Sequence, residues 1–224
     1  MDAKEPPRLA ARYMEDLAYF TLTARADSTE LNLYPEIADD ARHRLRVRTK
    51  QMSRYDWPSH VGEDPALRRG YTLRQCFRLM IVLQMVDAHL PPSLAVRVAR
   101  NNELGLMDVI AARLNEPERL TVTASDAIAI MLPGELRDLL PSANWPNSLR
   151  LQFVARGDLA DLWTGAPGTR LAMDIGAAAA GVWRWLSGRR LFDESARIHF
   201  LGEIAELAAQ PRYANVPSRD RPKA

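Results

Sequence analysis

Prolines set the grain of this chain. There are fifteen in 224 residues, and those at positions 35, 58, 65, 91, 92, 117, 133, 141, 146 and 167 punctuate its middle. Proline lacks a backbone N–H and its ring clashes with the carbonyl four residues back, so it ends helices from inside and is kept out of central strands. Residues 35–167 therefore have to be built from short elements. A long dimerising heptad helix after Asn102 is excluded by Pro117, Pro133 and Pro141.

Between these breaks the apolar spacing is mostly helical. In residues 9–22, Leu9, Tyr13, Leu17 and Phe20 recur four, four and three apart, with Glu15 and Asp16 on the opposite side. Residues 24–32 read as loop. Two short helices joined by a tight connection are expected over residues 35–57. Ile37, Ala41 and Leu45 share the face of the first, and Val47 and Arg48 break its register. Thr49 serves as N-cap of the second, which runs to Asp56. In that second helix Met52 and Tyr55 face inward, and Lys50, Gln51, Ser53 and Arg54 face water. Trp57-Pro58 stops it. Residues 60–70 read as a loop or hairpin.

Thr72 opens the clearest helix, in which Leu73, Cys76, Phe77 and Met80 follow the i, i+3, i+4, i+7 rule and residues 81–86 continue the apolar face. Residues 89–93 break it. Further helices are predicted from Pro92 or Ser93 to Asn101, over 103–114, over 175–186 and over 193–209. Residues 125–131 are a short apolar stretch, residues 134–140 one or two helical turns, and residues 141–147 a boundary. Residues 149–154 and, more weakly, 169–173 alternate as strands do, and they are expected to pair with each other.

At 47% hydrophobic and 26% charged residues, the composition is that of a folded chain rather than a disordered one. One cysteine, Cys76, excludes an intramolecular disulfide and any site that needs two thiolates. The longest apolar run, 175–186, is interrupted by Arg184 and falls short of the roughly 18 to 20 residues of a membrane span. The first residues lack the apolar core of a secretory signal. A cytoplasmic, nucleoid-associated protein is expected.

The net charge of +2, from 30 basic and 28 acidic residues, hides an uneven distribution. Residues 42–78 hold Arg42, Arg44, Arg46, Arg48, Lys50, Arg54, Arg68, Arg69, Arg74 and Arg78 against only Asp56, Glu63 and Asp64, a charge of +7. The remaining residues sum to −5. A solvated helix face usually alternates in sign, so this run points to an anionic partner, phosphate backbone first. Within it, Gln and Arg or Lys can bond base edges, while Ser, Thr and Tyr can hold phosphates.

Residues 47–56, Val-Arg-Thr-Lys-Gln-Met-Ser-Arg-Tyr-Asp, resemble the second helix of the helix-turn-helix in MerR-type transcription regulators, which carry Val-Ser-x-Arg-Thr-Leu-Arg-Tyr-Tyr-Glu there. Ile37 and Ala41 fall near the Ile and Ala of that family's first helix. Arg69-Gly70-Tyr71-Thr72 is similar to the end of its wing, and residues 73–86 to the helix that follows. Residues 90–95, Leu-Pro-Pro-Ser-Leu-Ala, resemble its Gly-Leu-x-Leu-x-Glu-Ile turn. The likeness spans residues 35–102. The pattern departs at Asp39 and Asp40, at Arg46 in place of the turn glycine, and at Trp57-Pro58 in place of Gly-Leu.

Apolar spacing along the chain, together with the resemblance over residues 35–102, leads us to expect a mainly α fold with small β elements. It divides into an N-terminal helical extension (1–34), a MerR-like winged helix-turn-helix (35–103), a helical connector (104–146), an α+β dimerisation or sensing region (147–210) and a disordered tail (211–224). The DNA-binding residues the resemblance implies are Arg46, Arg48, Thr49, Lys50, Gln51, Ser53, Arg54, Tyr55, Arg68, Arg69 and Tyr71. The partners implied are double-stranded DNA, a second copy of the chain and, through the C-terminal half, a protein; no membrane and no cofactor are expected. The function expected is a homodimeric, sequence-specific transcriptional regulator. Its rivals are a protein-interaction adaptor built on the same module and an architectural or recombination-accessory DNA-binding protein.

No residue pattern argues for catalysis. His43, His60, His89 and His199 lack ligand spacing, and Gly165-Ala-Pro-Gly-Thr-Arg170 lacks the terminal Ser or Thr of a phosphate loop. Asp39/Asp40 and Asp193/Glu194 diverge on a helix and make poor acid–base pairs. Cys76, between Leu73 and Phe77, reads as a buried structural thiol. The small-residue run at 176–181 suits close helix packing, within or between subunits, and Trp183 and Trp185 read as core or interface.

Overall fold

The computed structural model describes residues 7–23, 32–58, 70–115, 127–131, 151–164 and 170–210. These form a mainly helical body carrying one three-stranded antiparallel sheet. The element order is α1 (Met14–Thr23), α2 (Asp39–Ser53), α3 (Leu73–Asp87), α4 (Pro92–Asn101), α5 (Glu103–Asn115), β1 (Ala127–Met131), β2 (Gln152–Ala155), α6 (Leu159–Thr164), β3 (Leu171–Met173), α7 (Ile175–Gly188) and α8 (Glu194–Ala209).

The central element is α3, as its sequence implies. Thr72 and Gln75 form a capping box: the Thr72 hydroxyl accepts from the Gln75 N–H at 3.3 Å, and the Gln75 side chain accepts from the Thr72 N–H at 2.9 Å. Two orphan donors of the first turn are thereby satisfied. Eleven of the fifteen residues of α3 are buried, so it is a core helix covered on most sides, by α1, α4, α7 and α8. Cys76 is fully buried there, and burial pushes its thiol far above the ordinary value, which fits the structural role.

Around α3 a continuous apolar cluster runs from Leu9 to Ile204. Phe77 meets Phe200 of α8 at 5.2 Å, and Phe20 of α1 stacks on Trp185 of α7 at 5.5 Å. Trp183 and Trp185 are thus core residues. Of the small residues of α7, Gly176 packs within the chain, facing Val109 and Arg113 of α5 at ordinary contact distance.

Two expectations are corrected. The first is the pair of short helices over 35–57. Residues 39–53 form the single helix α2, without the turn that a helix-turn-helix requires. Leu45 and Met52 lie seven residues apart, two helical turns, and both are buried, so the register never breaks. Val47 and Arg48 are compatible with a helix interior. The Thr49 hydroxyl, expected to cap a new helix, instead donates back to the Arg46 carbonyl at 3.0 Å. The helix does end before Trp57-Pro58, with the Trp57 N–H donating to the Met52 carbonyl.

The second correction concerns the sheet. Strands do form at β2 and β3, but they do not pair with each other; both pair with β1, in the order β2-β1-β3. All five residues of β1 are buried, so it shows no polar alternation and reads in sequence only as an apolar stretch. The expected features at residues 24–31, 60–69, 134–147, 165–169 and 211–224 lie outside the described residues.

A short bridge ties the chain start to the foot of α3. Leu9 and Tyr71 exchange both backbone hydrogen bonds, at 2.7 and 2.8 Å. Gly70 precedes this bridge with φ +93°, and a Cβ there would stand 2.5 Å from the Leu9 carbonyl oxygen. Neither the backbone angle nor the neighbouring backbone atom tolerates a side chain. Gly70→Ala should cost about 1–3 kcal/mol by urea unfolding, against a near-neutral Gly202→Ala, where nothing lies within 4 Å.

At the other end Asp193 caps α8. Its carboxylate accepts from the Ser195 hydroxyl at 2.5 Å and from the Ala196 N–H at 3.2 Å, which holds its pKa below the ordinary carboxylate value. A lowered folded-state pKa means that the stabilisation is complete at neutral pH. It disappears as the pH falls through the folded-state value, below about pH 4. Asn caps without titrating, so Asp193→Asn should flatten this part of the acid limb in a pH series of melting temperatures.

Candidate nucleic-acid interface

Charge segregation along the chain is largely undone in space. Of the ten basic residues in 42–78, six meet acids. Arg42 reaches Asp16 at 3.0 Å, and Arg46 grips Glu15 through two bonds of 2.6 and 3.3 Å. Arg44 meets Asp40 one helical turn away at 2.7 Å, and Arg48 lies 3.9 Å from Asp87. Arg74 and Arg78 both turn inward onto Glu103. All five of these acids lie outside residues 42–78. Asp40 is held below its ordinary pKa by the Arg44 hydrogen bond, and Arg46 is raised by Glu15, the directions expected of mutual ion pairs.

Lys50 and Arg54 remain. Both are exposed, and neither has an ion pair among the described residues. They belong to the water-facing side of α2 with Val47 and Gln51, positions three and four apart on a helix. Helix α4 packs beside this end of α2 and adds Arg97, which is exposed, and Arg100. The Arg100 guanidinium donates to the backbone carbonyls of Tyr55 and Asp56, the latter at 2.9 Å. Neutral carbonyls hold the group in place without cancelling its charge. Asp56 supplies the one acidic side chain between Arg54 and Trp57.

The predicted site residues separate into three groups. Lys50, Gln51, Ser53, Arg54 and Tyr55 are brought together at the exposed C-terminal end of α2. Tyr55 points to water rather than sharing the buried side of Met52. Arg46, Arg48, Thr49 and Tyr71 are otherwise engaged. The two arginines are paired, the Thr49 hydroxyl bonds its own helix, and Tyr71 is half-buried in the bridge to Leu9, where burial raises its phenol pKa. The Ser53 hydroxyl also turns back, to the Thr49 carbonyl at 3.2 Å. Arg68 and Arg69 lie outside the described residues.

Arg97 and Arg100 escape a reading of the sequence that takes one helix at a time. A signal for them exists: they stand three apart on the polar side of an amphipathic helix. Among the described residues no group of three potential metal ligands exists, and no helix is long and apolar enough to cross a membrane. Comparisons of the chain with family models, curated proteins and solved structures return no match.

Proposed function

We propose that this protein is a DNA-binding transcriptional regulator that acts as a homodimer and meets DNA through the C-terminal end of α2 and the neighbouring face of α4. The observation that carries this reading is the cluster of Lys50, Arg54 and Arg100, where positive charge survives the neutralisation seen elsewhere on α2; exposed Arg97 flanks it. Gln51 stands in the same patch and is the side chain suited to reading a base edge.

A polarisation titration of the full chain against mixed-sequence duplex over a salt series tests the reading. Binding should tighten steeply at low salt. Lys50→Ala/Arg54→Ala should lower the slope of log K against log salt by about 2, close to one for each phosphate left without its cation. Arg46→Ala, which removes a charge already paired to Glu15, should change it little. If no binding appears even at low salt, the surface does not meet DNA.

One observation favours a second reading, the protein-interaction adaptor. Val47 is 50% exposed and Tyr55 36% exposed on the side of α2 that carries Lys50 and Arg54, and an apolar residue and an aromatic ring among cations suit an acidic protein partner. Absence of DNA binding, together with an acidic partner that Val47→Asp releases, would establish it.

A further inference from the structure

A cleft of about 740 Å³ opens between the C-terminal ends of α1 and α3, strand β3 and helix α7. Its size is that of a small-molecule site. One wall is the run Ala177, Ala178 and Gly181 of α7, where no side chain projects beyond a methyl group. Phe20, Met80 and Met173 supply apolar surface opposite. The small-residue wall and the apolar side chains beside it leave room for an apolar chain within an otherwise mixed lining.

The charged groups in the cleft decide what head such a chain would carry. Asp174 is committed within the protein: it pairs with Arg156 and accepts from the Ala177 N–H at 3.0 Å as the cap of α7. Asp87 faces Arg48 at 3.9 Å. Glu36 is exposed, where water screens its charge. Arg184 differs from all three. It is half-buried, it lines the cleft, and no ion pair or side-chain hydrogen bond engages its guanidinium among the described residues. A half-buried guanidinium without a counter-ion favours an anionic ligand, and a carboxylate matches its fork of donors.

We propose that this cleft binds a small amphipathic carboxylate, its head on Arg184 and its chain along the Ala177–Ala178–Gly181 wall. From Ala177 to Arg184 the helix rises about 10 Å, room for an extended chain of about eight carbons. The proposal stands independently of the DNA-binding reading, since the cleft and the cationic end of α2 share no residue.

Isothermal titration calorimetry of the full chain with octanoate, octylammonium and octanol tests it. Octanoate should bind saturably, one to one, and at least tenfold tighter than either analogue. Arg184→Met should weaken octanoate at least tenfold and leave octanol unchanged, while Arg184→Lys should retain part of the preference for the anion. Gly181→Leu fills the wall without meeting backbone, since its Cβ would lie 3.9 Å from the Phe20 ring. That variant should abolish binding of all three and serves as a second test should the Arg184 variants not fold. No heat from octanoate up to millimolar concentration, equal affinity for the three probes, or octanoate binding unaffected by both Arg184→Met and Gly181→Leu would overturn the proposal.

Discussion

Replacing Glu103 by alanine should destabilise the protein by about 3–5 kcal/mol, because it strands a buried cation. Arg78 is 0% exposed, and Glu103 is 5% exposed. Oε1 of Glu103 accepts from Arg78 through Nε at 2.8 Å and a terminal nitrogen at 2.6 Å, and from Arg74 through corresponding atoms at 3.1 and 2.6 Å. Arg78 also donates to the Pro58 carbonyl at 3.1 Å, and the Trp57 indole donates to the Arg78 carbonyl at 3.0 Å. The arginine thus fastens the end of α2 to α3 and α5.

The magnitude follows from the asymmetry between breaking and replacing such a pair. Removing one partner leaves a full charge in a poor solvent, whereas replacing both with apolar residues removes the desolvation cost as well. Arg78→Met/Glu103→Leu should therefore lose much less stability than Glu103→Ala, since the remaining Arg74 is partly exposed and can reach water. Urea unfolding of the three proteins decides the matter. A double variant as unstable as the single one would show that the network contributes by shape and hydrogen bonding rather than by charge compensation.

Phe77→Ala should cost a comparable amount, about 3–5 kcal/mol, for a different reason: a cavity. Phe77 is fully buried, and its ring meets that of Phe200 at 5.2 Å with a tilt of 57°. That contact joins α3 to α8, more than a hundred residues apart. Phe200→Ala should lose about as much, and the double variant less than the sum, by about 0.5–1.5 kcal/mol for the aromatic pair. Strict additivity in urea unfolding would show that the two rings are independent core fillers.

These predictions rest on residues whose roles are unevenly visible in the chain. Spacing from Leu73, Cys76 and Met80 marks Phe77 as core, and its environment follows. Arg78 belongs by sequence to the basic run, where it reads as available to an anion. Its apolar neighbours from Cys76 to Leu83 mark a buried helix, but nothing near it names the acid that compensates its charge, because Glu103 lies 25 positions away. The same holds for Arg46 and Glu15, 31 apart, and Arg42 and Asp16, 26 apart. Local charge patterning reports solvated partners along one element; it carries no information about which acid another element will bring.

The sheet shows the same division. Sequence alternation marks β2 and β3, the two outer strands, which keep most of their residues partly in water. The fully buried β1 has no such alternation, so the strand that organises the other two is legible only as an apolar run. The likeness of residues 47–56 to a recognition helix implies a turn at Val47 and Arg48, yet Leu45 and Met52 bury on one side of an unbroken α2.

By itself the sequence determined the short, proline-bounded elements, the start of α3 at its capping residue, the extents of α4, α5, α7 and α8, and the burial of Cys76. All of these rest on interactions between residues close together in the chain. Tertiary structure alone decided the strand order and which basic side chains of residues 42–78 are neutralised by acids of other elements. Those outcomes depend on meetings across tens of residues, where hydrophobic burial sets the geometry and charges pair with whatever that geometry brings near.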